Sequence, residues 1–192
     1  MNEGRNEDLE AVAADWGPFS GLPGNPMMWI LILGEMAVFG VLLVGFAVAR
    51  VLDPVTFDNS QAQLHRLLAG LNTLVLVTSG FMVAIAIFLR RRDRRAKPPL
   101  LAGMALGAIF LAIKGVEYAD LFANGFSIET NTFFRLYFLI TGFHALHIVL
   151  GLVIMGIVYF ADSLENMETG AAFWHMLDAI WVLIYPIVYL LR

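Results

Sequence analysis

Five long runs of apolar residues divide this chain of 192 residues. They lie near residues 27–50, 66–90, 98–122, 132–160 and 171–191. Each run is long enough to cross a hydrocarbon core about 30 Å thick, which takes roughly 20 residues of helix. A transmembrane strand needs only about ten residues and alternates apolar with polar side chains, whereas these runs are continuous. The pattern therefore predicts an all-α fold, an integral membrane bundle of five transmembrane helices.

Composition supports a membrane protein and excludes several other classes. Of the residues, 59% are hydrophobic and only 15% are charged, and the mean hydropathy is +0.76, well above an ordinary soluble domain. The absence of cysteine excludes disulfides, thiolate metal sites and iron–sulfur clusters. The basic residues form one short cluster rather than a stripe interleaved with aromatic residues, so no nucleic-acid partner is expected.

Residues 1–26 form a polar N-terminal tail that contains glycine, proline and five acids but only one arginine. A cleaved signal peptide needs a basic start and a short apolar core, and this segment has neither. We therefore expect the first span to stay as an anchor, and residues 27–192 to form the membrane domain. The tail is interpreted as a flexible segment, with an ordered strap on a partner as the alternative.

One basic cluster sets the expected orientation. It lies between the second and third runs and consists of Arg90, Arg91, Arg92, Arg94, Arg95 and Lys97. A basic loop this short normally stays cytoplasmic, which predicts a cytoplasmic N-terminus and a periplasmic C-terminus. The loop 161–170 is then cytoplasmic as well, although it holds three acids and no base, because acids count little in this rule. Contact with acidic lipid headgroups is a second interpretation of the cluster.

Polar side chains within the apolar runs are the candidates for function, because a titratable group in hydrocarbon is costly unless it has a partner. They are Glu35 in the first run, Asn72, Thr73, Thr78 and Ser79 in the second, Lys114, Glu117 and Tyr118 in the third, His144 and His147 in the fourth, and His175 and Asp178 in the fifth. Residues three apart share one face of a helix. We therefore predict two internal pairs, Lys114 with Glu117 and His175 with Asp178.

A metal or haem site is one alternative, because three histidines and two acids supply suitable ligand types. At 1.5 Å of rise per residue, Glu35 and the pair His144 and His147 fall near the midplane, while the other polar pairs lie nearer the two surfaces. Ligands at such different depths cannot share one ion. A site of two histidines with Glu35 stays geometrically open. Buried histidines bonded to carbonyls, hydroxyls or carboxylates of neighbouring helices are the favoured interpretation.

A proton path is a second alternative. Glu35 near mid-membrane, with titratable neighbours at staggered depths, is the arrangement that a relay needs. A relay also needs water and a driven reaction, and the sequence contains no redox-cofactor or nucleotide site to drive one. A buried, hydrogen-bonding carboxyl group is the structural alternative for Glu35.

Two further features concern helix packing. Gly103 and Gly107 form a G-x-x-x-G pattern in the third run, a spacing that lets helices approach closely but is common in membrane helices, so an interface role is left open. Pro186 lies in the fifth run and is expected to kink it rather than end it.

Five motifs together resemble those of a known family. In chain order they are W-I-L-I-L-G-E-M at 29–36, L-N-T-L-V-L-V-T-S-G at 71–80, E-Y at 117–118, T-G-F-H-A-L-H-I-V-L-G at 141–151 and W-H-M-L-D-A-I-W-V-L-I-Y at 174–185, which includes Trp181. In this order they resemble subunit III of the haem-copper oxidase superfamily in its short five-helix form, without the two leading helices of the long form. The resemblance covers roughly residues 27–192, with Glu35 at the position of the characteristic glutamate of the family.

The resemblance implies a subunit with no redox centre, metal or cofactor of its own, packed beside a haem-bearing catalytic membrane subunit. Haem and metal belong only to that partner in this family, while subunit III is associated with phospholipid binding, complex stability and sustained proton uptake. Lys114 stands where many oxygen-reductase members are expected to have glutamine. Together with the small size, this lysine resembles the NorE-type accessory protein of nitric oxide reductase.

Our hypothesis from the sequence is a non-catalytic accessory subunit of a respiratory haem-copper enzyme in a bacterial inner membrane. Nitric oxide reductase is favoured over a cytochrome c or quinol oxidase. A small proton-coupled carrier is the alternative from a different class. Solute-dependent proton flux by the chain alone in liposomes distinguishes the carrier from the accessory subunit.

Overall fold

The computed structural model describes residues 26–161 and 163–191, and the regular elements in those residues are all helices. The helices are α1 (Pro26–Leu52), α2 (Pro54–Gln61), α3 (Arg66–Arg90), α4 (Lys97–Ala123), α5 (Thr132–Ala161) and α6 (Leu164–Tyr185), followed by a π-helix (Pro186–Leu190). Within this described part of the chain, five helices are long and apolar enough to cross a membrane, which confirms the predicted all-α bundle of five spans. The predicted tail lies outside the described residues except for its last position.

The fifth span begins earlier than the sequence predicts. We expected it to start near 171, but α6 begins at Leu164. Ser163 caps the helix by accepting a hydrogen bond from the backbone N–H of Asn166 at 3.1 Å, and an acid in the first turn suits the helix dipole. Hydropathy misses this turn because its outer side chains are polar, although Met167 is buried.

The helical path continues past Pro186, as predicted, but with a different geometry. The α-helix ends at Tyr185 and five π-helical residues follow, closed by a hydrogen bond from the N–H of Leu191 to the carbonyl of Pro186 at 2.9 Å. Proline has no N–H to donate to the preceding turn. The change therefore occurs at the residue that cannot continue the α-helical hydrogen bonding.

Helix α6 is the centre of the bundle. It packs against α1, α3 and α5, while α4 packs against α3 and α5. In the most apolar 18-residue stretch of this last span, 50% of the residues are buried, compared with 22% in that of α1. Its inner stripe consists of Trp174, Leu177, Trp181 and Ile184, which are essentially inaccessible. These positions recur at helical spacing, so one face of α6 forms the core and the opposite face remains outside.

The G-x-x-x-G pattern lies at helix contacts, which answers the question that the sequence left open. A Cβ atom on Gly103 would lie 2.9 Å from Val83, and one on Gly107 would lie 2.6 Å from the ring of Trp174. Close approach also allows the hydroxyl of Ser79 in α3 to donate to the carbonyl of Gly103 at 2.7 Å. The two glycines therefore set the spacing of α3, α4 and α6.

The short helix α2 was not predicted. Asp53 caps it by accepting from the N–H of Thr56 at 3.2 Å, and proline occupies its first position, where a missing N–H costs nothing. Phe57 is buried, and the side-chain amide of Gln61 donates to the carbonyl of Val188 at 2.9 Å. Helix α2 thus ties the first span to the π-helix at one end of the bundle.

Candidate functional site

Four buried polar residues form a closed network, the Lys114 cluster, which consists of Lys114, Glu117, Tyr137 and Tyr189. Helix α4 supplies the charged pair, α5 supplies Tyr137, and the π-helix supplies Tyr189. The ammonium group of Lys114 donates to Glu117 Oε2 at 3.0 Å, to the Tyr137 hydroxyl at 3.0 Å and to the Tyr189 hydroxyl at 2.5 Å. All four residues are at most 2% exposed.

The hydrogen bonds of the Lys114 cluster satisfy its members internally. Both tyrosine hydroxyls accept from the ammonium group and donate to Glu117 Oε1, at 2.9 Å from Tyr137 and 2.8 Å from Tyr189. The three ammonium hydrogens therefore have three acceptors, and the two charges cancel. This confirms the predicted pairing of Lys114 with Glu117. The network stabilises the bundle and leaves none of its polar hydrogens for a substrate.

The sequence reasoning missed the two tyrosines of this cluster. They lie 20 and 72 residues from Glu117 along the chain, so helical spacing does not connect them to it. A signal was nevertheless present, because a buried ammonium group needs more acceptors than one carboxylate provides. Tyrosine hydroxyls in other apolar runs were candidates for that role.

Tyr118 lies beside the cluster and is partly buried. Its hydroxyl lies 2.6 Å from Thr141 Oγ1, and Thr141 in turn donates to the backbone carbonyl of Tyr137 at 2.7 Å. Since the threonine proton is used on that carbonyl, Tyr118 is the donor to Thr141. This chain of hydrogen bonds links α4 to α5 next to the Lys114 cluster.

A cavity of about 710 Å³ opens between the start of α3 and the end of α4. Glu117 lines this cavity together with His65 and Asp120, whose side chains lie 3.1 Å apart. Of the four residues in the Lys114 cluster, Glu117 is the one that lines this cavity.

Glu35 and His147 form a second polar contact, between α1 and α5. Nε2 of His147 lies 3.1 Å from Glu35 Oε2, and Nδ1 lies 2.8 Å from the carbonyl of Phe143. Because a carbonyl only accepts, Nδ1 carries a proton. This is an ion-pair distance, although Glu35 Oε2 has no hydrogen-bond partner within the described residues. The two side chains place an imidazole and a carboxylate beside each other between α1 and α5.

His144 has a different environment, which corrects the expectation that both histidines bond to neighbouring helices. Its ring is fully buried and stacks on Trp181, with centroids 5.1 Å apart, between the edges of Phe39 and Phe110. Within the described residues neither ring nitrogen has a hydrogen-bond partner. Aromatic rings surround this position and present no acceptor, so His144 packs as an aromatic side chain.

The candidate metal ligands are therefore separated. His147 reaches Glu35 of α1, whereas His144, about 60° away around α5, stacks on Trp181 of α6. Within residues 26–161 and 163–191, no group of three or more histidine, aspartate or glutamate side chains is placed to hold one ion. The geometry does not favour the alternative of a two-histidine site with Glu35.

The pair His175 and Asp178 is present, but its histidine is not buried as expected. His175 Nδ1 lies 3.5 Å from Asp178 Oδ2, and the histidine side chain is 43% exposed. His175 follows Trp174 of the inner stripe, and one residue turns the helix by about 100°. The imidazole therefore lies on the outer face of α6, where it borders grooves against both α1 and α3.

The remaining polar markers hold helices together. The amide of Asn72 donates to the carbonyl of Phe110 at 3.2 Å, joining α3 to α4. The indole N–H of Trp181 donates to Thr73 Oγ1 at 3.0 Å, and that of Trp174 donates to the Ser79 hydroxyl at 3.1 Å. Polar side chains of α3 thus fix the inner stripe of α6.

The basic cluster divides between two surroundings. Arg91 pairs with Glu168 at 2.9 Å, and Arg92 lies over the ring of Phe88 at 4.1 Å. The other four members are Arg90, Arg94, Arg95 and Lys97, which line a separate cavity near the ends of α3 and α5.

Comparisons with known proteins show the family to which this chain is similar. A family model described as cytochrome c oxidase subunit III matches residues 50–192, well over half of the chain. A cytochrome c oxidase subunit 3 from Thermostichus vulcanus is 25% identical over 173 residues, with 84% of each chain covered. One from Synechocystis sp. is 28% identical over 173 residues, covering 84% of this chain and 73% of that protein. A heme-copper oxidase subunit I+III from Aeropyrum pernix is 25% identical over 201 residues, covering 96% of this chain and 24% of that protein. This chain, a multi-pass membrane protein, belongs to the cytochrome c oxidase subunit III family.

Proposed function

We propose that this chain is a non-catalytic accessory subunit that packs beside the haem-bearing catalytic subunit of a respiratory haem-copper enzyme in a bacterial inner membrane. Its role there is to support the stability or proton uptake of that partner. Family membership supports the class of complex. The name of one relative, heme-copper oxidase subunit I+III, supports subunit I as the partner.

The outward-facing histidine His175, paired with the largely buried Asp178, is the observation that supports a partner. His175 lies eleven residues after the start of α6, roughly 16 Å along the helix axis. Its neighbours Phe81 and Val182 are apolar and exposed, as suits contact with lipid. An ionisable group at this depth is costly against hydrocarbon, which offers it no hydrogen bond.

A helix of the partner subunit that packs against this face removes His175 from the hydrocarbon and so removes this free-energy cost. The groove between α3 and α6 beside His175 has a volume of about 560 Å³, and the His175 side chain is accessible from outside the bundle. A transmembrane helix with a polar side chain at the same depth fills the groove and bonds the pair. We therefore assign the outer face of α6 around His175 to the contact with the catalytic subunit.

Affinity purification in mild detergent tests this function. We expect the chain to bring down a large hydrophobic partner with a haem spectrum. The variant His175→Leu is expected to weaken this association about three- to tenfold, the range of a hydrogen bond between membrane helices. His65→Leu is the matched control, because His65 is also an exposed histidine paired with an aspartate, but at the end of the bundle.

Recovery of the chain without any haem-bearing partner, from membranes that contain one, contradicts the proposed function. Equal partner recovery with both histidine variants contradicts only the assignment of the interface. Stoichiometric haem or copper on the chain purified alone contradicts the non-catalytic role.

The finer proposal is that the partner is a nitric oxide reductase rather than a cytochrome c or quinol oxidase. It rests on Lys114, which stands where glutamine is expected in many oxygen-reductase members and which three hydrogen bonds hold within the core. The co-purified complex is expected to consume nitric oxide faster than oxygen. A complex that reduces oxygen but not nitric oxide places the chain with the terminal oxidases.

A further inference from the structure

A basic cavity lies at the end of the bundle where α3 ends and α4 begins. Its volume is about 430 Å³, and the charged residues that line it are four bases and one acid, namely Arg90, Arg94, Arg95, Lys97 and Asp93. Within the described residues, neither Arg94 nor Arg95 is paired with a carboxylate. A cleft lined by charges of one sign attracts the opposite charge, so this basic rim is complementary to an acidic segment.

The backbone holds the basic rim in place. The N–H of Asp93 donates to the carbonyl of Arg90 at 3.0 Å, and Asp93 has a φ of 52°. The N–H of Arg94 donates to the carbonyl of Leu89, also at 3.0 Å. This double hydrogen bond, with a left-handed residue after the cap, closes many helices. Below the rim the wall of the cavity is apolar and consists of three buried residues from three helices, Leu100, Val158 and Met167.

Helix α1 begins at this same end of the bundle. Trp29, three residues after the start of α1 at Pro26, lines one groove together with Arg91. Arg90, the residue before Arg91, lines the basic cavity. The chain that precedes α1 is therefore attached beside the rim. Eleven residues separate Asp15 from Pro26, and they can span up to about 36 Å, which is more than three helix diameters of roughly 10 Å.

The charge of this preceding chain is opposite to that of the rim. Residues 1–25 contain five acids and one base. Four of these acids lie in residues 7–16, the acidic segment, which has the sequence E-D-L-E-A-V-A-A-D-W and contains no base. Blocks of like charge often act as interaction segments. Attachment to the same chain gives an effective concentration of the order of millimolar, so even weak ion pairs suffice for binding.

We propose that the acidic segment docks on the rim of the basic cavity of its own chain. Its carboxylates pair with Arg94, Arg95 and Lys97, and the ring of Trp16 contacts the apolar wall. The segment thereby neutralises the rim, and any other anionic ligand of this surface has to displace it. The inference goes beyond the proposed function and does not depend on it, because both binding partners belong to one chain.

Zero-length crosslinking of the purified full chain with a water-soluble carbodiimide tests this contact, because the reagent joins a carboxylate to an amine only where the two touch. The chain has two lysines, Lys97 and Lys114. Lys114 is buried, whereas Lys97 is exposed on the rim. We expect mass spectrometry of the monomer to find Lys97 joined to carboxylates of the acidic segment but not to Glu129, an exposed acid at the opposite end of the bundle. Lys97→Arg keeps the charge and should abolish this product.

Two double variants with the same change in net charge show whether the rim attracts the acidic segment. Arg94→Gln with Arg95→Gln is expected to lower the crosslink yield about two- to thirtyfold, because each exposed ion pair contributes about 1.4- to fivefold. Arg66→Gln with Arg135→Gln removes two charges at the opposite end of the bundle and should leave the yield unchanged. In the unaltered chain, raising the salt from about 0.1 M to 1 M shortens the screening length from about 10 Å to 3 Å, so the yield should fall as well.

The proposal is overturned if Lys97 joins no carboxylate of the acidic segment, or if the two double variants lower the yield equally. A yield that is independent of salt also overturns it. Coupling that occurs only in a crosslinked dimer shows that the segment docks on a second copy of the chain, which again overturns the proposal. No catalytic partner is present in this experiment, so its failure leaves the co-purification result unchanged, and the converse holds too.

Discussion

Removing one charge of the Lys114 cluster is expected to destabilise the bundle strongly. In Glu117→Leu the ammonium group of Lys114 stays buried without its counter-ion, and the hydroxyls of Tyr137 and Tyr189 lose the oxygen that they contact at 2.9 and 2.8 Å. Stranding one member of a buried ion pair costs about 3 to 5 kcal/mol. For a chain of this size each kcal/mol lowers the melting temperature by about 2 to 4 °C, so we expect a fall of roughly 10 °C.

Removing both charges should cost less than removing one. In Lys114→Met with Glu117→Leu no charge is stranded, and apolar replacement of a whole buried pair is often nearly neutral. The tyrosine hydroxyls lie 3.3 Å from each other, close enough for one to donate to the other. We therefore expect the double variant to be more stable than either single variant.

Unfolding of the purified chain in detergent micelles, titrated with sodium dodecyl sulfate and followed by circular dichroism, measures these differences. Glu129→Leu is the control, because it makes the same replacement at an exposed position between α4 and α5, where we expect a change within about 0.5 kcal/mol. If the double variant loses the sum of the two single losses, the charges are not coupled and the reasoning fails.

Three further predictions concern packing, the α1 contact and orientation. In Gly107→Ala the added methyl group meets a buried indole ring, so we expect the free energy of unfolding to fall by about 1 to 3 kcal/mol. In Gly115→Ala the added methyl group meets nothing within 4 Å outside its own helical turn, so we expect no loss of stability. Equal unfolding midpoints for the two variants contradict this prediction. Glu35→Gln should fold normally, because a carboxamide can donate to the facing imidazole, but alter turnover of a co-purified partner; unchanged turnover leaves Glu35 a structural group. Because the chain lacks cysteine, the single-cysteine variants Arg92→Cys and Glu129→Cys test the orientation in the membrane. A maleimide that cannot cross the inner membrane should label Glu129→Cys, on the periplasmic side, but not Arg92→Cys, on the cytoplasmic side. The reverse labelling pattern shows that the topology is inverted.

The architecture was largely predictable because a membrane limits what a chain can form. Without water in the hydrocarbon core, backbone groups must be satisfied within each segment, so continuous apolar runs gave five helices at nearly the right positions. The start of α6 was missed because its first turn is stabilised by Ser163 and by one buried face, neither of which raises hydropathy. Helix α2 was missed because it is short, amphipathic and dependent on contacts to Val188 and other distant residues.

Local pairs were also predictable, since residues three apart on a helix meet whatever surrounds them. Lys114 with Glu117 and His175 with Asp178 are both in contact. Their burial was not predictable in the same way, because it depends on which side of the helix the bundle covers. The first pair lies in the core, whereas the second has its histidine on the outer face of α6, although their sequence patterns are equivalent.

His144 and His147 show most clearly where sequence reasoning ends. They lie three residues apart on α5, about 4.5 Å along its axis, and the sequence predicted for both a hydrogen bond to a neighbouring helix. The partner that each meets is set by the helix opposite: α1 brings a carboxylate to His147, while α4 and α6 bring aromatic rings to His144. A polar residue in an apolar run therefore indicates that a special environment exists, but not its chemistry. In this motif one histidine faces a carboxylate and the other serves as a packing group, so the two should be tested as separate sites.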